Sequence, residues 1–173
     1  SAFGLFIYAF NLQNPLFWDD DDWIINNPFV HSFGYIKEIF TGNILAGFGL
    51  NSNYYRPFLL LTFAFNFVIG GIKPIGYHLV SNGLHVINSI FLFSIFYSVF
   101  KKRLIAFIAA VLFLIHPLQT EAITYISGRG DPLSVFFMLL ALWLFIKKDN
   151  FSKTANTYWF LIFGSVGSVV AAI

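Results

Sequence analysis

The sequence contains no cysteine and few charged residues. Without cysteine the chain has no disulfide framework and no thiol chemistry. Cysteine usage therefore does not indicate whether the protein lies in an oxidising or a reducing compartment. Only 10% of the residues are Asp, Glu, Lys or Arg, whereas soluble domains carry about 25%. A soluble globular domain is therefore excluded. The formal net charge of +2 is too small to indicate a nucleic-acid partner.

Apolar and aromatic residues make up most of the chain. Hydrophobic residues account for 58% and aromatic residues for 21%, with 24 phenylalanines. This composition predicts an integral membrane protein that crosses the bilayer several times. Because the chain begins with Ser1 and is still apolar at Ile173, we interpret residues 1–173 as a fragment of a longer membrane protein.

Six apolar stretches predict helices. At 1.5 Å per residue, the stretch 74–100 covers about 40 Å and can span a bilayer, whereas 57–69 covers about 20 Å and is too short to cross. The predicted helices cover residues 2–12, 57–69, 74–100, 104 to about 124, 132–146 and 157–173.

Two basic clusters set the expected orientation. The positive-inside rule places residues 101–103 and the lysines at 147, 148 and 153 in the cytoplasm. Residues 116–131 then lie outside. Residues 1–13 end a first transmembrane helix, 14–73 form an outer loop with interfacial helices at 33–40 and 57–69, and 74–173 form the remaining transmembrane helices. We expect an all-α polytopic bundle with most of its acidic residues on the outer face.

The aspartate run 19–22 lies between Trp18 and Trp23. Tryptophan favours the headgroup layer, so these carboxylates are expected at a membrane surface. One interpretation is a solvated acidic loop. The other is a carboxylate that removes a proton from an acceptor hydroxyl or holds a divalent cation near a phosphate. Since like charges raise one another's pKa, one or two should point inward and the rest should face water.

Two further patterns have both structural and functional interpretations. Arg56, at the start of an interfacial helix, can pair with a phosphate in bidentate fashion or anchor the helix at the interface. His78, Asn82, His85 and Ser89 are spaced by four, three and four and form one stripe on a helix. Such a stripe in a membrane helix faces protein or a watery cavity rather than lipid. It can serve a function, or it can simply make polar contacts that pack helices together. His78 is its best functional candidate, because it is nearest the outer surface.

The segment 116–131 carries charges close to membrane depth. The charged residues are Glu121, Arg129 and Asp131. A charge is costly at membrane depth, so its presence there indicates a function. The structural alternative is an internal ion pair between Arg129 and one carboxylate. The spacing of His116 and Glu121 does not match a helical zinc pair.

Together these motifs resemble the transmembrane-and-tetratricopeptide O-mannosyltransferase family and its bacterial relatives. The resemblance covers residues 17 to about 142, through FWDD, INNP, YRP, LTF, GYHLVSNGLH and HPLQTEAITYISGRGD. It implies a GT-C-type glycosyltransferase, similar to protein O-mannosyltransferases, with juxtamembrane helices in the first outer loop. It implies an acidic pair at Asp19 and Asp20 and a second outer motif at Glu121, Arg129 and Asp131. The tetratricopeptide repeats that relatives often carry are not in this sequence.

The resemblance also implies chemistry. The donor would be a polyprenyl-phosphate sugar, with mannose or another hexose, and the acceptor a protein or glycan hydroxyl. Our hypothesis is that Asp19 or Asp20 acts as the base and that Arg56 or Arg129 stabilises the leaving phosphate. His78, Glu121 and Asp131 are candidates for binding substrate. The sequence leaves a metal requirement open: Mg²⁺ or Mn²⁺ would bind Asp20 or Asp131.

Two other classes compete with this enzyme. A transporter or flippase of lipid-linked sugar would use the stripe from His78 to Ser89 as a polar path. A non-catalytic membrane subunit would use its acids only to bind a partner. The abundant Phe, Ile, Asn and Lys favour a bacterial inner membrane over the endoplasmic reticulum as the location.

Overall fold

The computed structural model describes residues 6–147, so the helix predicted at 157–173 and residues 2–5 of the first predicted helix lie outside the described part. Within that part the chain is helical and contains no strand, as predicted. The α-helices are α1 (Ile36–Thr41), α2 (Pro57–Gly70), α3 (Pro74–Phe100), α4 (Arg103–Ile115), α5 (Gln119–Thr124) and α6 (Gly130–Ile146). Short helical turns lie between them, at Ala9–Gln13, Asp21–Ile25, Pro28–Val30, Phe33–Tyr35, Ala46–Phe48 and Ser127–Arg129.

Helix α3 is the centre of the fold and packs against α4 and α6. Its bounds are those predicted from the sequence, because Pro74 favours a helix start and the chain turns left-handed at Lys101, where φ is 56°. Within residues 6–147, two helices are long and apolar enough to cross a membrane, α3 and the continuous stretch Ser127–Ile146 that contains α6. The membrane-helix prediction is thereby supported for these two.

The prediction of a single helix from residue 104 to about residue 124 is wrong. Helix α4 ends at Ile115, and His116 has an extended backbone with φ −65° and ψ 129°. The reason is Pro117, because a proline disfavours the helical conformation of the residue before it. A separate short helix, α5, follows. Helix α4 alone is about 20 Å long, less than the roughly 30 Å of hydrocarbon in a bilayer.

Side chains from neighbouring segments satisfy the last carbonyls of α4. The Tyr8 hydroxyl donates to the Leu114 carbonyl at 2.9 Å, and the Nε2 of His85 lies 3.1 Å from the same oxygen. One turn earlier, the Ser89 hydroxyl donates to the Ala110 carbonyl at 3.0 Å, a carbonyl inside the helix, and so adds a contact between α3 and α4. The end of a helix leaves carbonyls without intrahelical partners, and an apolar setting makes such orphans costly. These contacts explain how α4 can end beside α3.

The polar stripe of α3 faces protein. His78, Asn82, His85 and Ser89 are all buried. Asn82 exchanges hydrogen bonds with Asn11 at 3.0 and 3.1 Å and donates to the Tyr8 carbonyl at 3.2 Å. The stripe therefore joins α3 to the N-terminal segment and to α4. This agrees with the interpretation that its polar side chains pack helices together.

The loop before α2 packs its apolar side chains on α2. Leu59, Leu60 and Phe63 of α2 pack against Ile24 and against other buried apolar side chains, namely Val30, Ile39 and Ile44 of the loop, Tyr77 of α3 and Ile126 of the segment before α6. The opposite face of α2 is apolar and exposed at Phe65, Val68 and Ile69. Helix α2 has 14 residues and is about 20 Å long, too short to cross a bilayer, and its interfacial position stays a prediction. The predicted helix at 33–40 is observed as the turn Phe33–Tyr35 followed by α1.

Candidate functional site

The aspartate run divides at a strained turn. Trp18 has φ 59°, in the left-handed region that costs a bulky residue about 1–2 kcal/mol. The turn is closed by the N–H of Asp20 to the Phe17 carbonyl at 3.2 Å and that of Asp21 to the Trp18 carbonyl at 3.1 Å. Asp19 lies at a surface cavity, whereas Asp20 is 0% exposed. Asp21 and Asp22 are exposed, which agrees with the prediction that only part of the run points inward.

Asp20 is held by the segment that precedes α6. One carboxylate oxygen accepts the backbone N–H of Ser127 at 2.8 Å, and the Ser127 hydroxyl donates to the same oxygen. The other oxygen accepts the Phe17 N–H at 3.3 Å. Burial raises the pKa of Asp20, and the hydrogen bonds from Ser127 and Phe17 and the charge of His78 oppose that rise.

A cavity of about 350 Å³ brings three predicted site residues together. Asp19, Arg56 and Asp131 line it, although they come from the loop before α2, the N-terminal end of α2 and the first turn of α6. The remaining lining residues are Trp23, Tyr54, Tyr125, Ser127 and Gly128. The cavity thus combines two carboxylates and one guanidinium with aromatic walls.

Arg56 lies between aromatic rings at the start of α2. Its guanidinium carbon is 5.4 Å from the Tyr54 ring centroid and 5.9 Å from that of Trp23, distances at which cation–π attraction operates. A Cβ atom built on Gly130 would lie 3.6 Å from Nη1 of Arg56. The guanidinium therefore sits at the N-terminal end of α6, next to the residue that precedes Asp131.

Tyr125 connects the cavity to the aspartate turn. Its hydroxyl oxygen accepts the backbone N–H of Asp19 at 3.3 Å, and its ring lies 5.2 Å from that of Phe17. Burial is the main reason why the pKa of the Tyr125 phenol is raised. Smaller effects on that pKa come from hydrogen bonding with the Asp19 backbone and carboxylate and with the Ser127 side chain.

Arg129 does not line the cavity. It is 0% exposed, and its guanidinium donates to Asn66 Oδ1 at 2.8 Å, to the Tyr77 carbonyl at 2.8 Å, and to the hydroxyls of Ser81 and Thr62, each at 3.1 Å. These partners are all neutral. Arg129 therefore ties α2 and α3 to the turn Ser127–Arg129 through neutral acceptors, and not through the ion pair considered from the sequence.

His78 and Glu121 also lie apart from the cavity. His78 is 1% exposed, and its Nε2 is 3.1 Å from the Asn14 carbonyl. Glu121 is exposed and lines a second cavity of about 420 Å³ with apolar walls. That cavity is formed with Phe17, Trp18, Thr120, Thr124 and Tyr125. The two cavities share Tyr125.

The carboxylates do not form a metal site. Among residues 6–147 no group of three His, Cys, Asp or Glu side chains is placed to hold a metal ion. Asp20, one of the two expected ligands, has its oxygens engaged by Ser127 and Phe17 and is closed off from the cavity. A divalent ion prefers several oxygen ligands, and the cavity supplies at most Asp19 and Asp131. This donor set does not fit a resident Mg²⁺ or Mn²⁺.

The sequence-based search missed several residues of the site. Trp23, Tyr125 and Ser127 line the cavity but were not candidates. Both Tyr125 and Ser127 belong to the segment HPLQTEAITYISGRGD, and their hydroxyls were the available signal. Ser127 carries no charge, so a pattern of charged residues does not indicate it.

The fold and cavity define a helical membrane protein with a carboxylate and arginine site on the loops around α2 and before α6. Sequence comparison gives the family. Protein O-mannosyl-transferase TMTC1 of Homo sapiens is 36% identical over 139 residues, covering 78% of this chain and 16% of that protein. TMTC2 of Mus musculus is 34% identical over 176 residues, covering 93% of this chain and 20% of the relative. The chain belongs to the transmembrane-and-tetratricopeptide O-mannosyltransferase family.

The matched region is a small part of these relatives. The chain spans about a sixth of TMTC1 and a fifth of TMTC2. No family model matches it, and no solved structure does. The relatives come from human and mouse, so the comparisons do not support the expected bacterial inner membrane.

Proposed function

We propose that this chain carries the catalytic outer loops of a membrane glycosyltransferase. The enzyme moves mannose or another hexose from a polyprenyl-phosphate donor to a hydroxyl of a protein acceptor. One observation carries the proposal: Asp19, Arg56 and Asp131 meet in one cavity although they are distant in sequence. The names of the relatives support the transferred sugar and the acceptor class, since they are protein O-mannosyl-transferases.

Asp19 is the residue best placed to act as the base. It is the member of the aspartate pair that is both exposed and at the cavity, whereas Asp20 is sealed by Ser127. In the proposed reaction, the Asp19 carboxylate takes the proton of the acceptor hydroxyl. The acceptor oxygen attacks the anomeric carbon and forms the new glycosidic bond with inversion. The bond from that carbon to the phosphate oxygen breaks, and its electron pair leaves with the lipid phosphate.

Arg56 is the proposed phosphate-binding group. Charge grows on the phosphate oxygen as the bond breaks, and a fixed guanidinium stabilises it without reorganisation. The ring centroids of Tyr54 and Trp23 lie 5.4 and 5.9 Å from the Arg56 guanidinium carbon. A lipid phosphate is a weakly basic leaving group, so no general acid is required. Asp131, in the first turn of α6, is placed to accept hydrogen bonds from sugar hydroxyls.

The surroundings of the cavity suit a donor carried by a membrane lipid. Trp18 is 81% exposed, Phe17 is also exposed, and both line the apolar second cavity. Tryptophan prefers the headgroup layer, which would hold the cavity close to the lipid phosphate. We propose that the reaction takes place on the outer or luminal face of the membrane.

The stripe on α3 disfavours the transporter. A polar path for a sugar needs side chains that are free to bind it, but His78, Asn82, His85 and Ser89 are buried and each contacts protein. In the described part of α3, the stripe is occupied by helix packing. The glycosyltransferase therefore remains the better function for this chain.

The test is an Asp19→Asn variant of the full-length protein with a labelled polyprenyl-phosphate mannose and an acceptor polypeptide. Loss of the base should lower kcat by roughly 100-fold or more. Asp22→Asn is the matched control, because Asp22 is exposed and does not line the cavity. Transfer by Asp19→Asn at the rate of the unmodified protein would refute the assignment of the base.

A further inference from the structure

The two aspartates of the pair are connected through the opposite loop. Asp20 accepts from the N–H and hydroxyl of Ser127, and the N–H of Asp19 donates to the hydroxyl of Tyr125. Each contact joins residues more than 100 positions apart, with separations of 106 and 107. The residues between Phe17 and Asp20 are thus held at two points by the segment 125–127.

That segment is itself fixed on both sides. On the N-terminal side, the N–H of Tyr125 donates to the Glu121 carbonyl at 3.0 Å and closes the end of α5. On the C-terminal side, Arg129 is buried and makes four hydrogen bonds to α2 and α3. Ser127 is 2% exposed and Ile126 is 0% exposed. A well-anchored segment can therefore impose a direction on the turn that it contacts.

We propose that Tyr125 and Ser127 are positioning residues that hold the turn of Trp18 so that the Asp19 carboxylate faces the cavity. The inference rests on the proposed function. Ser127 acts through Asp20, and Tyr125 acts through the backbone of Asp19.

The strained backbone of Trp18 explains why two contacts are needed. A bulky residue with φ 59° returns to an ordinary conformation unless its surroundings hold it. That return would rotate the peptide between Trp18 and Asp19 and turn the carboxylate away. The Asp20 carboxylate prevents it from one end, since it accepts from both Phe17 and Ser127. The Tyr125 hydroxyl prevents it from the other end.

Two conservative variants separate positioning from folding. Ser127→Ala removes the hydroxyl but keeps the backbone N–H that donates to Asp20 at 2.8 Å. Tyr125→Phe removes the hydroxyl but keeps the ring that packs on Phe17. Each should lower kcat roughly 10-fold, as expected for the loss of one hydrogen bond at a polar site, while KM for the donor changes less than about twofold.

The double variant tests whether both residues act on the same turn. If they do, Ser127→Ala with Tyr125→Phe should be little slower than the slower single variant, because the turn is already released. Two independent sites would instead multiply their effects, which would contradict a shared role. Ser98→Ala and Tyr97→Phe are matched controls near the far end of α3 and should keep full kcat.

A measurement without turnover completes the test. Asp21 is exposed, and this segment has no cysteine, so Asp21→Cys with a spin label reports the motion of the turn in a full-length protein otherwise free of cysteine. The label should become more mobile in both variants and stay unchanged in both controls. Unchanged kcat and unchanged mobility would overturn the proposal. If the unmodified protein transfers no sugar from any polyprenyl-phosphate hexose, the proposed function fails, and label mobility alone decides whether these residues position the turn.

Discussion

The carboxylate of Asp20 accepts the backbone N–H of Ser127 at 2.8 Å, across 107 positions of the chain. This contact joins the loop before α2 to the segment that precedes α6, and Ser127 also lines the cavity that contains Asp19 and Arg56. A buried carboxylate is costly unless hydrogen bonds compensate it. Asp20 accepts such bonds from both Ser127 and Phe17, so its burial is compensated where the two segments meet.

The buried Asp20 predicts how stability depends on pH. Burial raises its pKa above the ordinary aspartate value of 3.8. Between 3.8 and the raised native pKa, the folded protein holds a proton that the unfolded chain has released. Stability should therefore fall as the pH rises through this window and change no further, on account of this group, above the native pKa. Asp20→Asn removes the titration, so this part of the slope should vanish.

Thermal unfolding of the detergent-solubilised protein, followed from about pH 4 to about pH 7, measures this difference. Asp22→Asn is the control, because Asp22 is exposed and should leave the slope as it is. Parallel pH curves for the unmodified protein and Asp20→Asn would show that Asp20 does not titrate in the expected direction.

A second prediction concerns Gly47, which touches the INNP segment. A Cβ atom at this position would lie 1.9 Å from Oδ1 of Asn27 and 2.8 Å from its Cγ. Asn27 is buried, donates to the Ile44 carbonyl at 3.2 Å and accepts the Phe29 N–H at 3.1 Å, so it cannot move freely. Gly47→Ala should cost about 1–3 kcal/mol of unfolding free energy.

Gly83→Ala is the appropriate comparison for Gly47→Ala. No atom lies within 4 Å of a Cβ at Gly83, which is inside α3. That variant should unfold at the same temperature as the unmodified protein or slightly higher, because alanine favours a helix more than glycine does. Equal melting temperatures for the two alanine variants would count against the close packing of Gly47 on Asn27.

The bounds of α3, the buried stripe and the short α2 could all be predicted, because hydrophobic period and helix-ending residues are local signals. The break at His116 could also have been found, since Pro117 is visible in the sequence. The different surroundings of Asp19 and Asp20 could not. They depend on the positive φ of Trp18 and on contacts with Tyr125 and Ser127, which no local pattern indicates.

Arg129 was predicted to contact substrate, because a charge at membrane depth is often functional. Its four acceptors lie on α2 and α3, and only the tertiary structure shows that they converge on it. We predict that Arg129→Met destabilises the protein by about 3–5 kcal/mol, since it leaves buried polar groups without their donor. Arg103→Met, at an exposed position, should have little effect. A properly folded Arg129→Met protein that has lost only donor binding would instead indicate a direct role in the site.

Variants of Arg56 can separate the effect of its positive charge from the effect of its planar geometry. Its guanidinium carbon lies 5.4 and 5.9 Å from the Tyr54 and Trp23 ring centroids, and its Nη1 is next to Gly130. Arg56→Lys keeps the charge but loses the planar fork that pairs with two phosphate oxygens. We expect kcat/KM for the polyprenyl-phosphate donor to fall roughly 10- to 100-fold in Arg56→Lys and further in Arg56→Met. Inorganic phosphate should inhibit the unmodified protein more strongly than either variant. Because the lysine retains a positive charge, equal losses in both variants would assign the effect to orientation, and full activity in Arg56→Met would remove Arg56 from the phosphate site.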